Sequence, residues 1–130
     1  MKIYTKEIVV KESDLDEMQH VNNVQYLYWV QDAAKEHWQK LASKTLQETY
    51  LWVVLNHNIT YKNAAILNDK LIIKTYVKES SGVTSARIVE MYEADSQKLI
   101  VNTETKWCLL NAKTKKPVRI PEEIIHLFHN

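Results

Sequence analysis

Apolar residues recur at helical spacing in one long stretch of this sequence, and that stretch limits the folds open to the chain. Between positions 21 and 41 they return every three or four residues, as on one face of an α-helix: Val21, Val24, Leu27, Tyr28, Ala34, Trp38 and Leu41, with Gln31 in the same row. The spacing predicts a single long helix over 22–43. Tyr26, Trp29 and Val30 lie outside the row, so we expect this helix to be contacted on more than one side.

Strand patterns lie on both sides of this helix. Alternating, β-branched and aromatic residues predict strands over 2–11, 50–61, 70–78, 83–93 and 98–110. The segments that join the last strands are short, such as Ser80-Ser81-Gly82, and short connections favour antiparallel pairing. We therefore expect an α+β fold in which one curved antiparallel sheet wraps around a long central helix. A chain of 130 residues suffices for one such domain, 1–130.

Composition argues against several classes of function. The 17 basic and 16 acidic residues nearly cancel, so we expect neither nucleic acid nor a membrane surface as a partner. Gly82 is the only glycine, which argues against phosphate-binding loops and nucleotide cofactors. Cys108 is the only cysteine, which excludes an internal disulfide and a CxxC metal motif. We expect a cytoplasmic protein without metal or cofactor.

Architecture alone predicts self-association. A single sheet over one helix leaves both sheet edges open and the far end of the helix uncovered. Pairing with a second copy would cover both. We therefore expect a homodimer, or a homotetramer built as a dimer of dimers.

Polar functional groups are concentrated just before the predicted helix, from Ser13 to Tyr26. Asp16 precedes the helix N-terminus, where unpaired backbone N–H groups and the positive end of the helix dipole stabilise negative charge. The same N–H groups could hold a carbonyl oxygen and the oxyanion that forms from it. With His20, Asn22 and Asn23 nearby, the segment predicts an acyl-transfer site.

Helix capping is the structural alternative for this cluster. Asp14, Asp16 or Asn22 could each cap the helix, because Asp and Asn are among the best capping residues. No serine or cysteine nucleophile is paired with the histidine. Spacing alone leaves the two interpretations open.

The segment from Asp14 to Trp29, DLDEMQHVNNVQYLYW, resembles the signature of hotdog thioesterases, in which a DxD is followed by GH or QH and then by VNNxxY. It is especially similar to plant acyl-ACP thioesterases, where DLDxNQHVNN recurs. It is also similar to single-hotdog bacterial acyl-CoA thioesterases of the 4-hydroxybenzoyl-CoA type. Weaker similarity extends through 59–62 and 68–69 to 117–121, so the whole chain fits one hotdog unit.

The resemblance implies a function and a set of residues. The function is hydrolysis of acyl-CoA or acyl-ACP thioesters, with Asp16 as nucleophile or as general base for water. His20 would be a supporting polar residue, and Asn23 would orient substrate or water. Three further residues are expected to contact the substrate: Asn22, Tyr26 and Met18.

Three departures from the family pattern leave an alternative open. Met18 replaces an asparagine of the plant enzymes, Gln19 replaces a glycine common in the bacterial ones, and Val53 occupies a region where the plant enzymes have a glutamate. A non-catalytic hotdog module that binds acyl or aromatic ligands is the alternative. A hotdog dehydratase is a third interpretation, against which the VNNxxY motif argues.

Several other residues are interpreted as structural. His37 and His57 lack partners at metal-ligand spacing, Cys108 is expected to be a small buried apolar residue, and the segment around His126 is expected to pack as an amphipathic tail. Two sets stay open. Four tryptophans belong either to the core or to an acyl pocket: Trp29, Trp38, Trp52 and Trp107. Four basic residues form either an exposed turn or a contact for coenzyme A phosphates: Lys113, Lys115, Lys116 and Arg119.

Overall fold

A computed structural model describes residues 1–129. Asn130, which the predicted domain 1–130 includes, lies outside the described residues. The chain forms β1 (Tyr4–Val9), α1 (Asn23–Leu41), α2 (Lys44–Thr49), β2 (Tyr50–Tyr61), β3 (Lys70–Ser81), β4 (Thr84–Glu93), β5 (Leu99–Asn111) and α3 (Glu122–His129), with one turn of 3-10 helix at Glu12–Asp14. Within residues 1–129, none of the helices combines the length and the apolar character needed to cross a membrane.

The five strands form one antiparallel sheet in the order β1-β3-β4-β5-β2. Both edge strands precede the three inner strands in the sequence, and the inner strands follow one another through short connections. The turn between β3 and β4 needs a left-handed backbone, and Gly82 supplies it with φ +62°. α1 packs on β1, β3 and β4. The predicted α+β fold is therefore confirmed.

The buried face of α1 differs from the predicted one. It consists of Tyr26, Trp29, Val30, Ala33, Ala34, His37 and Trp38. Val24 and Tyr28, both in the predicted row, are 53% and 60% exposed. Only Ala34 and Trp38 of the predicted row lie on the buried face of α1. The prediction was wrong for the other residues because α1 carries apolar residues on two faces, and spacing along a helix does not tell which face the sheet covers.

The predicted long helix ends earlier than expected. Ala42 adopts an extended backbone, which stops α1 at Leu41. Ser43 then caps a second helix, and its side chain accepts a hydrogen bond from the N–H of Leu46 at 3.1 Å. The prediction missed α2 because six residues are too few to display a helical period.

Two apolar clusters lie between the sheet and the helices. One contains Tyr26, Trp29 and Val30 of α1 with residues of β3, β4 and β5. The other contains Trp38 and the buried residues of α3, Ile124 and Phe128. The C-terminal segment therefore packs as an amphipathic helix that closes one end of the core.

A buried pair, His37 and Arg87, lies beside the second cluster. Arg87 Nη1 is 2.9 Å from His37 Nδ1 and donates a hydrogen bond to Thr75 Oγ1 at 3.0 Å. Because arginine can only donate, Nδ1 of His37 accepts, and the ring is neutral with its proton on Nε2. Burial, and then the charge of Arg87, lower the pKa of His37 to about 4.

This pKa predicts a loss of stability in mild acid. The unfolded chain takes up a proton on His37 near pH 6.5, whereas the folded chain does so only near pH 4. The contribution of neutral His37 to the free energy of unfolding is therefore complete above pH 6.5. It is lost as the pH falls towards 4, by at most about 1.4 kcal/mol per pH unit. Urea unfolding at a series of pH values from 4.5 to 7.5 measures the free energy of unfolding. This free energy should change less steeply with pH for His37→Gln than for the parent. The exposed His126→Gln is the control, and parallel curves for parent and His37→Gln would contradict the assignment.

Candidate active site

The segment between β1 and α1 closes into a tight turn that begins at Asp16. The N–H of Asp16 donates to the carbonyl of His20 at 2.8 Å, and the N–H of Gln19 donates to the carbonyl of Asp16 at 3.0 Å. Gln19 has φ +64°, in the left-handed region that glycine adopts without strain. Glycine would adopt this backbone without a steric cost. Gln19 keeps the turn at a cost of about 1 kcal/mol.

The turn holds one oxygen of the Asp16 carboxylate and leaves the other available. Oδ1 accepts the N–H of Met18 at 2.9 Å and that of His20 at 3.3 Å. Oδ2 accepts no hydrogen bond from any of residues 1–129. The side chain is half-buried. Asp16 is thus oriented by its own turn and retains a free carboxylate oxygen.

A cavity of about 360 Å³ lies next to this carboxylate. Five of the six predicted site residues line it: Asp16, Met18, His20, Asn23 and Tyr26. The remaining wall comes from Val21 and from the end of β2 and the residues after it, Tyr61, Lys62, Asn63 and Ala64. No role was predicted for this second wall, although 59–62 belonged to the weaker resemblance.

The N-terminus of α1 is capped by Asn22. Its Oδ1 accepts the N–H of Val24 at 3.0 Å, and its carbonyl accepts the N–H of Gln25 at 2.8 Å. Asp14 instead accepts the N–H of Lys11 at 2.9 Å, and Asp16 orders its own turn. Of the three candidate caps, the structure therefore selects Asn22, which does not line the cavity.

Capping leaves one N–H at this helix end without a partner. The backbone N–H of Asn23, the first residue of α1, makes no hydrogen bond with any described residue. Asn23 also lines the cavity. An N–H in this position points outward from the helix end and carries the positive end of the helix dipole.

The other predicted residues differ in accessibility. Met18 is 70% exposed at the rim of the cavity. Tyr26 is 2% exposed, and its hydroxyl accepts the N–H of Ala65 at 3.2 Å. Burial raises the pKa of Tyr26 above its usual value. The half-buried imidazole of His20 makes no hydrogen bond with the described part of the chain. Tyr26 therefore shapes the wall, whereas Met18 and His20 are accessible from the cavity.

Other residues named in the sequence analysis lie outside this cavity. Val53 is exposed on the edge strand β2, and Cys108 is buried in β5. His57 lies in β2, with Nδ1 2.7 Å from Thr105 Oγ1. The four basic residues after β5 are exposed: Lys113, Lys115, Lys116 and Arg119. Among residues 1–129, no three His, Cys, Asp or Glu side chains come together as a metal site would require.

A second cavity, of about 430 Å³, lies beside the C-terminal half of α1. Three of the four tryptophans line it, Trp38, Trp52 and Trp107, while Trp29 belongs to the core. Arg87 also lines this cavity. Arg87 was not among the residues predicted to be functional. It shares the inward face of β4 with Ser85, Val89 and Met91, where a charge is unusual. A charged residue among the inward-facing positions of this strand was the signal that the sequence offered.

Comparison with known proteins identifies the family of this chain. A family model described as the thioesterase-like superfamily matches residues 10–128. The long-chain acyl-CoA thioesterase FadM of Escherichia coli (strain K12) is 26% identical over 128 residues, which cover 91% of each protein.

Two solved structures show the same fold. The 1,4-dihydroxy-2-naphthoyl-CoA thioesterase Slr0204 from Synechocystis is 16% identical with a TM-score of 0.84, and the match covers 99% of this chain and 97% of that one. The 12:0-ACP thioesterase from Umbellularia californica is 11% identical with a TM-score of 0.82, and the match covers 95% of this chain and 48% of that one.

The fold and the comparisons together define a class: the molecule has the hotdog fold of thioesterases. The chain belongs to the thioesterase-like superfamily. At the level of this family, its activity is hydrolysis of a thioester. The family resemblance expected from the segment Asp14 to Trp29 is confirmed.

Proposed function

We propose that the chain hydrolyses acyl-CoA or acyl-ACP thioesters to the free acid and the thiol, with Asp16 as its catalytic carboxylate. The observation that carries the proposal is that Asp16, whose Oδ2 is free, and Asn23, whose N–H has no partner among the described residues, line the same cavity. A carboxylate and an unpaired N–H on one cavity are the two groups that attack on a carbonyl requires.

Each group has a defined part in the reaction. Asp16 either adds to the thioester carbon itself, forming an anhydride that water then cleaves, or removes a proton from the water that adds. In both routes the carbonyl oxygen becomes negative, and the N–H of Asn23 stabilises that charge. The C–S bond then breaks, and the sulfur leaves as a thiolate that takes up a proton.

The remaining predicted residues have supporting roles. His20 and the side-chain amide of Asn23 would orient substrate or water, because both belong to the cavity wall. Met18 at the rim would contact the substrate, and Tyr26 would form part of the wall of the substrate site. Asn22 acts through the helix cap, which leaves the N–H of Asn23 free.

The substrate class rests on FadM, which is named for long-chain acyl-CoA. We propose acyl-CoA as the first substrate to test and acyl-ACP as the second. A cytoplasmic location belongs to the same proposal, since the single free thiol, Cys108, needs no oxidising compartment.

A thiol-release assay tests the proposed function. The purified chain should release thiol from at least one member of a panel of short, long, branched and aromatic acyl-CoA esters, or from the matching acyl-ACP esters. Release that depends on protein concentration and exceeds spontaneous hydrolysis would support the proposal. Binding of these esters without turnover would instead support a non-catalytic hotdog module.

We also propose that the chain is a homodimer. The edge strand β2 is twelve residues long and exposes Leu51, Val53 and Leu55. Long apolar edge strands pair readily with another chain. On α1, Val24 and Tyr28 add further exposed apolar surface. A tetramer would require a second contact between two such dimers.

A charge on this edge should separate the dimer. Val53→Lys is expected to reduce the mass measured by light scattering from twice to once the chain mass of 15.3 kDa, because a lysine on an edge strand opposes strand pairing. Leu67→Lys, which also replaces an exposed apolar residue but lies outside the strands, is the matched control and should leave the mass unchanged. A parent chain that is already monomeric would contradict the proposal.

A further inference from the structure

Arg87 is a buried cation that no carboxylate of the described chain neutralises. Arg87 is only 5% exposed to solvent. The ion pairs formed within residues 1–129 do not include it. Burial lowers its pKa to about 10, so the guanidinium stays charged near neutral pH. A buried charge without a counter-ion is destabilising, and such a cost calls for a function.

The contacts of Arg87 leave part of its hydrogen-bonding capacity unused. Nη1 contacts His37 and Thr75, both of which are neutral, and the guanidinium carbon lies 5.3 Å from the centre of the Phe128 ring. Nε and Nη2 donate to no described residue. A planar guanidinium with two free nitrogens matches the two oxygens of a carboxylate.

The surroundings of Arg87 are aromatic and open to a ligand. Arg87 lines the 430 Å³ cavity together with Trp38, Trp52 and Trp107. In the sheet, Arg87 is opposite Thr105, and Trp107 is opposite Ser85, so both side chains share the face of the sheet towards α1. The indole N–H of Trp107 is buried without a partner.

Other charges at this cavity do not replace a ligand. Asp32 and Lys35 line its exposed part. Their charges are opposite, so Arg87 determines the net charge of the wall. His37 is neutral, as its contact with Arg87 requires.

We propose that this cavity binds the carboxylate of an acid with an apolar body, with Arg87 as its counter-ion and the tryptophans around the apolar part. Such a carboxylate has two sources. It is either a free acid, like the product of thioester hydrolysis, or the far end of an acyl group that carries a second carboxylate. The second source rests on the proposed function, whereas binding of a free acid does not.

The distance between the cavities allows either source. Arg87 contacts His37 of α1, which is fourteen residues beyond Asn23. At ~1.5 Å per residue, this places the contact roughly 21 Å along α1 from Asn23. A long acyl group could span that distance, and a free acid could bind without filling the first cavity.

Tryptophan fluorescence provides a test that requires no turnover, because three of the four tryptophans line the cavity. The parent chain is titrated with decanoate and with decanamide, which has the same length but no charge. We expect decanoate to bind at least tenfold more tightly. Equal affinity for the two compounds in the parent would overturn the proposal, and this comparison requires no variant to fold.

Variants then assign the binding to Arg87. Arg87→Met should weaken decanoate binding roughly 10- to 100-fold, the usual worth of a charge-assisted hydrogen bond, and should leave decanamide unchanged. Arg87→Lys should retain part of the preference for the acid. Arg119→Met, at the chain's other arginine, which is exposed, is the control. Unchanged decanoate affinity in a folded Arg87→Met would overturn the proposal.

Hydrolysis assays distinguish the two sources. If Arg87 recognises the far end of the acyl group, Arg87→Met should lower kcat/KM for the ω-carboxyhexadecanoyl ester of coenzyme A and not for the hexadecanoyl ester. If it recognises a free acid, decanoate should inhibit the parent, and Arg87→Met should relieve the inhibition. Acid binding without hydrolysis of any ester would leave this proposal standing and remove only the thioesterase function.

Discussion

Asp16→Asn is expected to lower kcat/KM for thioester hydrolysis roughly 10²- to 10⁴-fold, the range usual for loss of a positioned acid or base. The amide oxygen can still accept the N–H groups of Met18 and His20, so the turn should persist. The amide can neither take a proton from water nor attack the thioester. KM should change little, and the thiol-release assay measures both constants.

The neighbouring Glu17→Gln is the matched control for this substitution. Glu17 is exposed, one residue away, and does not line the cavity. Glu17→Gln removes one negative charge, as Asp16→Asn does. Because it alters only long-range electrostatics, it should leave kcat/KM within about twofold of the parent value. An Asp16→Asn variant with the parent's activity and melting temperature would remove Asp16 from the mechanism.

Asn23→Pro is expected to lower kcat roughly 10²- to 10³-fold, as loss of one oxyanion donor does in other acyl-transfer enzymes. Proline has no backbone N–H, and the first position of a helix tolerates it well. Asn22 already has the extended backbone, φ −61° and ψ 133°, that a residue before proline favours. The substitution therefore removes the proposed donor with little change to α1, and circular dichroism checks the helix.

Asn23→Ala separates the backbone from the side chain at the same position. It retains the N–H and removes the amide, so its activity reports only the orienting role proposed for the side chain. We expect it to retain much more activity than Asn23→Pro. Equal losses in the two variants would assign the effect to the side-chain amide and contradict the backbone oxyanion site.

These two predictions depend on how the helix end is capped. Asn22 takes the N–H of Val24 with its side chain and that of Gln25 with its carbonyl. Capping and catalysis are thus not alternatives here, although the sequence presented them so. Asn22 performs the first role, and this leaves Asp16 and the N–H of Asn23 available for the second.

One wall of the candidate cavity was largely predictable because its residues are close in sequence. Asp16, Met18, His20, Asn23 and Tyr26 all lie within eleven positions, and a tight turn followed by a helix keeps such neighbours together in space. The placement of Asn22 at the cap agrees with the preference of asparagine for that position. Its absence from the cavity wall depends on the direction of one side chain, which spacing cannot reveal.

Local sequence by itself determined the order of the strands and the long helix, the antiparallel pairing of strands joined by short turns, and the polar segment before α1, because each depends on residues a few positions apart. Tertiary structure alone decided which face of α1 is buried and which side chains share the second cavity. Arg87 meets His37 across 50 positions, and Trp38 meets Trp52 only where α1 packs against β2. Such contacts depend on how the sheet and helices pack, which no periodicity in a single segment encodes.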